Sequence, residues 1–191
     1  MFSLSLDPVA GKLTRLADFV LPTAARLVFA GVLLVYFWRS AITKLGDGLL
    51  GLLQPSSGAY VQVFPRAMEA AGYDVSQLSF GHWAVVVAGT AAEFALPALI
   101  VLGLLTRLAA LGMIGFVVVQ SIVDVVGHGA DQATLGAWFD AISAALILDQ
   151  RAFWLLSLLL LVFNGAGPLS LDRILFRNAP LVHQASLRPT P

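Results

Sequence analysis

The sequence predicts an all-α membrane protein, a bundle of four transmembrane helices with interfacial helices at both ends. Three observations carry the prediction. Apolar residues make up 59% of the chain and charged residues only 12%, about half the charge of an ordinary soluble domain. Mean hydropathy is +0.87. Apolar stretches recur at a length close to the roughly 20 residues a helix needs to cross a bilayer, and the polar and glycine-rich segments fall between them. A large soluble core could account for one such stretch, but not for several.

The elements follow in order. Residues 1–21 are broken by Asp7, Pro8, Lys12, Arg15 and Asp18, so they lack the compact apolar core of a signal peptide. Val9, Leu13, Leu16, Ala17 and Val20 recur at helical spacing, which predicts a short helix lying at the membrane interface. The first span is expected over about 22–43, opened by Pro22 and stopped by Gly46, Asp47 and Gly48. A polar connection over 46–81 follows, carrying Pro55, Gly58, Pro65 and Gly72. A connection this long usually holds short helices of its own, and 64–71 is the candidate. The second span is expected over about 82–105 and the third over about 108–126, with Thr106 and Arg107 as the hairpin between them. The run 138–148 is too short to cross and is interrupted by Asp149, Gln150 and Arg151. The fourth span is therefore placed at about 150–166, with 134–148 interfacial or partly re-entrant. Ser170 then caps a short amphipathic helix containing Leu171, Ile174 and Leu175.

Charge narrows the function classes. Eleven basic residues balance eleven acidic ones, and no basic stripe suggests nucleic acid. The chain has no cysteine, which excludes disulfides, iron–sulfur clusters on cysteine and covalently attached haem. Lys12, Arg15, Arg26, Arg107, Arg173, Arg177 and Arg188 fall on one side of the expected topology, against Arg39, Lys44, Arg66 and Arg151 on the other. By the positive-inside rule both termini are expected in the cytoplasm.

The informative residues are the polar ones inside the spans, which are costly there and normally face the bundle interior. Gln120, Asp124 and His128 stand in one row on the third helix. His82, Gly89 and Glu93 share a face on the second, and Tyr36, Arg39 and Thr43 share one on the first. Three helices thus direct polar groups into the outer half of the bundle. As a site, the cluster offers Tyr36, Arg39, His82, Gln120 and His128 as ligand-binding donors, with Glu93 or Asp124 handling protons. The alternative is structural: Arg39 pairs with Asp124 or Glu93 and holds the helices in register. Asp124 and His128, four residues apart, could share a metal with His82, but that set has no distinctive spacing. No metal site is assigned.

Three segments resemble the DoxX family of small bacterial membrane proteins. The first runs from Arg26 through Phe29 to Lys44 and Leu45. The second is Glu93 followed by small and apolar residues and the run 102–110, with Gly103, Thr106 and Arg107. The third is 165–173, from Gly165 to Asp172 and Arg173. The family's histidine after its third helix corresponds to His128. The resemblance implies a four-helix protein of the bacterial cytoplasmic membrane, linked to respiratory or redox processes. It points to quinone as the cofactor, bound in the outer half of the bundle, and to a redox or metal-handling protein partner beside membrane lipid; an oligomer is compatible with it. The reading from a different class is a non-catalytic anchor or assembly partner, with the 46–81 connection as its docking surface. A carrier for a small lipophile or ion is less favoured, because no pair of broken helices is evident.

Overall fold

The structure, a computed structural model, describes residues 7–175; the tail with Arg177, His183 and Arg188 lies outside the described residues. Four helices are long and apolar enough to cross a membrane, and among the described residues there is no strand. The molecule is an all-α membrane bundle.

Helix α1 comprises residues 7–44. Its first part, Asp7–Phe29, passes through a π-helical turn, Ala30–Leu34, into Val35–Lys44. The amphipathic stretch expected at the interface therefore joins the first span without a break. Pro22 lies inside the helix rather than opening it. Membrane helices tolerate such prolines where neighbouring groups satisfy the freed backbone.

The connection after Lys44 is ordered. Ser56 caps α2 (Ser57–Val63) by accepting from the Ala59 amide at 3.3 Å. Pro65, whose missing N–H costs nothing in a first turn, opens α3 (Pro65–Ala70). Ala59, Tyr60 and Met68 pack on Val86 as a small core of their own. Gly127 makes this docking close, because a Cβ there would stand 2.9 Å from the Pro65 ring.

The second span is α4 (Phe80–Leu102), and the third is α5 (Thr106–Gly127), which ends in a π turn over Val123–Gly127. Gly103 turns the chain between them at φ +68°, and its amide and that of Leu104 return to Ile100 and Leu99, a left-handed helix stop. Leu105 also has positive φ, 49°, unfavourable for a side chain by about 1–2 kcal/mol. The Asp172 carboxylate offsets this by accepting from the Leu105 amide at 2.6 Å and the Thr106 amide at 2.9 Å.

The short helix α6 (Gln132–Leu135) precedes an irregular stretch in which the Trp138 indole donates to the Leu148 carbonyl. The fourth span, α7 (Leu146–Asn164), starts at Leu146 instead of near 150. The physical reason is that Asp149, Gln150 and Arg151 do not interrupt the helix. Asp149 accepts from the Ala145 amide at 2.9 Å, and Arg151 is turned into the bundle. After α7, Ser170 caps α8 (Leu171–Leu175) through the Arg173 amide.

Phe29, Leu33, Phe37, Ile100, Met113 and Leu158 form the main core. The buried Arg26 locks one end of the bundle. It donates to the carbonyls of Ile100 and Val101 on α4 and of Ala166 and Leu169 beyond α7. A Cβ on Gly103 would stand 2.7 Å from the Arg26 guanidinium carbon and 2.6 Å from Ser170, so these segments meet only through glycine.

A candidate site in a cleft between two membrane-spanning helices

At the other end of the bundle, a cavity of about 480 Å³ is lined chiefly by α4 and α5. Small residues leave the space. Gly89 on α4 and Gly115 on α5 line it, and a Cβ at either would meet nothing within 4 Å. Val85, Ala88, Gly115 and Val119 on its wall are exposed on the outer surface of membrane-spanning helices. The cavity is therefore a cleft that opens sideways, in the plane of the membrane.

Its deepest polar group is an ion pair. Lys44 Nζ lies 3.0 and 2.9 Å from the two Glu93 carboxylate oxygens, with the side chains only 7% and 4% exposed. Ser40 completes the cluster: Lys44 donates to its hydroxyl at 2.7 Å, and the hydroxyl donates to Glu93 at 3.2 Å. Every polar atom of the pair is thus engaged, which a charge needs when it leaves water. Thr90, one turn from Glu93, turns its hydroxyl back to the Val86 carbonyl.

A second ion pair stands on the α5 side. Arg151 Nη2 donates to Asp124 at 2.6 Å and Nη1 to Ser121 at 2.8 Å. Arg151 is 2% exposed and Asp124 30%, so the carboxylate reaches the cleft while the guanidinium stays in the bundle. The guanidinium also sits 6.0 Å from the Trp154 ring centre. Gln120 lies one turn deeper on the cleft wall. It donates to the Tyr36 hydroxyl at 3.2 Å, and its amide oxygen is buried without a partner. At the rim, His128 Nε2 lies 3.0 Å from the Gln62 carbonyl, tying the α2 segment to the end of α5.

Of the residues the sequence nominated, Glu93, Gln120, Asp124 and His128 come together on this wall, and Tyr36 reaches it through Gln120. Two do not. Arg39 is exposed outside the cleft lining and bonds to neither Asp124 nor Glu93; those carboxylates are taken by Arg151 and Lys44. His82 closes the start of α4, where Nδ1 accepts from the Ser79 amide at 3.2 Å, and its ring packs edge-on to Phe64 at 4.7 Å. Lys44 and Arg151, which complete the two pairs, stand outside the set the sequence nominates: there they count only among the outer-side charges, Lys44 also in the DoxX-like segment and Arg151 in the break after 138–148. The signal for Lys44 was available in the buried stripe Phe29, Leu33, Phe37, Ala41 and Lys44 on one helical face. Among the described residues no three histidine, aspartate or glutamate side chains converge as a metal site would require.

Comparison with known proteins bears on the same half of the chain. A family model described as DoxX matches residues 21–129, more than half of the 191-residue chain. That match takes in α1 from residue 21 onward, the ordered connection, α4, α5 and every residue that lines the cleft, and stops short of the 165–173 segment. Neither the curated proteins nor the solved structures contain a match to this chain.

Proposed function

The chain belongs to the DoxX family, and from that membership and the sideways-opening cleft we propose that it is a membrane subunit of a redox system that binds a quinone headgroup beside the Lys44–Glu93 pair. The observation that carries the proposal is a desolvated cation and carboxylate at the base of an apolar cleft that faces lipid. Ionisable groups at that depth nominate a function by default, and a cleft with few placed polar groups is the common form of a small-molecule site.

The residues suit a quinone. The ring is apolar on its faces and accepts hydrogen bonds at its two carbonyl oxygens, and when bound it supplies an electron-pair acceptor whose reduction takes up two protons. Lys44 carries a donor that can be shared between Glu93 and a carbonyl oxygen. Glu93 can hold or release a proton at that oxygen, and the Ser40 hydroxyl keeps the carboxylate oriented while Lys44 is shared. Asp124, fixed by Arg151, stands nearer the rim, where a proton from water would arrive. Tyr36 holds the Gln120 amide against the wall.

The chain has no cysteine to hold a redox centre of its own, so electrons would come from a redox or metal-handling protein docked on the membrane surface. The ordered connection 45–79 lies at the cleft end and is the natural place for such a partner. The lysine and arginine distribution supports placing this end outside and both termini in the cytoplasm of a bacterial cell.

The test is organic extraction and mass spectrometry of gently purified protein, wild type beside the Lys44→Met, Glu93→Leu double variant. The variant removes both charges together, so no lone charge is left buried. Near-stoichiometric quinone on the wild type, lost in the variant, is the expected result. No enrichment over bulk membrane lipid would overturn the reading and favour a non-catalytic anchor, with 45–79 as its contact surface.

A further inference from the structure

We infer that the gap between α4 and α5 beside Gly115 is a lateral portal, and that the ligand is a membrane-resident molecule whose hydrocarbon tail stays in the bilayer while its headgroup occupies the cleft. This rests on the quinone-site reading and adds to it the route of entry and the tail as a determinant of binding.

Four features of the molecule support it. The wall that opens sideways is built from Val85, Ala88, Gly115 and Val119, with no charged group among them to hinder a hydrocarbon chain. Gly115 is exposed, and no side chain stands within 4 Å of where its Cβ would be. Gly112, one turn away, differs: a Cβ there would stand 3.2 Å from Leu96, so the helices close below the gap. At the rim the opposite holds. His128 is bonded to the Gln62 carbonyl across the top, and Gly127 sits tight against Pro65. The apolar exit is thus the open one, and the polar end is strapped by the α2 and α3 segment. A headgroup drawn toward Lys44 and Glu93 through this gap leaves its substituent pointing into lipid, where a long tail costs nothing to accommodate.

The experiment compares two ligands of one headgroup chemistry, a long-tailed isoprenoid benzoquinone and its tail-less analogue, in protein reconstituted into lipid nanodiscs. Affinities are measured for wild type, Gly115→Leu, Ala88→Leu and a Gly115→Ala control. Position 115 is open and Ala88 is exposed, so thermal stability should stay within a few degrees, which checks the fold. The expected result is a fall of at least tenfold in the ratio of long-tailed to tail-less affinity for the leucine variants, with the alanine control close to wild type. A wild type that binds both ligands and leucine variants that keep its ratio would overturn the portal and leave the quinone site standing. A wild type that binds neither ligand would overturn both.

Discussion

Replacing Lys44 with methionine tests the energetics on which the candidate site rests. Methionine keeps the length of the side chain and removes its charge. In the native bundle Lys44 Nζ reaches the Ser40 hydroxyl at 2.7 Å, the Ser40 carbonyl at 3.3 Å and both Glu93 oxygens at 3.0 and 2.9 Å. Without it, a carboxylate that is 4% exposed keeps only the Ser40 hydroxyl at 3.2 Å. Stranding one partner of a buried pair costs about 3–5 kcal/mol, whereas replacing both with apolar groups is often neutral. Lys44→Met is therefore expected to destabilise the protein by about 3 kcal/mol, with Glu93→Leu in the same range. The double variant should recover most of the loss. The assay is a double-mutant cycle on reversible unfolding in mixed micelles. Single variants that cost under about 1 kcal/mol, or a double variant that merely sums them, would refute the desolvated pair, because exposed pairs behave that way.

Further outcomes follow from other contacts. Asp172→Ala should cost about 2 kcal/mol, since two backbone amides lose a charged acceptor and Leu105 keeps its positive φ; hydrogen exchange at Leu105 and Thr106 would rise first. Arg39→Ala should change stability by no more than about 0.5 kcal/mol, as for other surface positions, and leave quinone retention intact, because Arg39 stands outside the cleft; loss of bound quinone in this variant would contradict that placement. Gly103→Ala should disrupt packing at the far end of the bundle, where φ is +68° and Arg26 and Ser170 stand within 3 Å of the new Cβ, read as a clear drop in Tm. Asp131 caps α6, accepting the Thr134 amide at 2.8 Å, and hydrogen bonding from the Thr134 side chain and amide holds its carboxyl below the ordinary value of 3.8. A carboxylate with a depressed pKa stabilises its cap above the unfolded value, and the contribution disappears as pH falls through the folded one; an NMR titration with a midpoint at or above 3.8 would refute the cap.

Helical periodicity in the sequence identified which residues share a face, but not which way that face points. Tyr36, Arg39 and Thr43 do lie on one side of α1, and all three are exposed. The cleft-facing residues are Ser40 and Lys44, one position on from Arg39 and Thr43. A single residue is a turn of about 100° on a helix, enough to exchange inside for outside, and nothing local to α1 decides between them. On α5 the row Gln120, Asp124 and His128 was legible because all its members do face the cleft. Lys44 and Arg151 were hidden by their positions. A basic residue at the end of an apolar run ordinarily marks the water boundary, and only the partner helix reveals that each is turned inward to a carboxylate. The start of α7 was obscured for the same reason, since Asp149 and Arg151 read as a break until their partners are known. The convergence of the Gly103 hairpin with 165–173 was foreshadowed by the glycines and Asp172, though a sequence carries no sign that Arg26 is the residue between them.

The long first helix has a mechanical consequence. Residues 7–44 would measure about 57 Å at 1.5 Å per residue, against about 28–35 Å for each of the other spans, so one helix projects well past its neighbours. Arg26, clamped to four carbonyls, sits near the midpoint, with arms of about 28 Å toward Asp7 and about 27 Å toward Lys44. The two arms are held differently: toward Lys44 the helix is packed into the core through Phe29, Leu33 and Phe37, whereas Leu13, Leu16, Phe19 and Val20 on the arm toward Asp7 are exposed. A load on the protruding end therefore falls on the Arg26 clamp and the core behind it before it can reach the cleft.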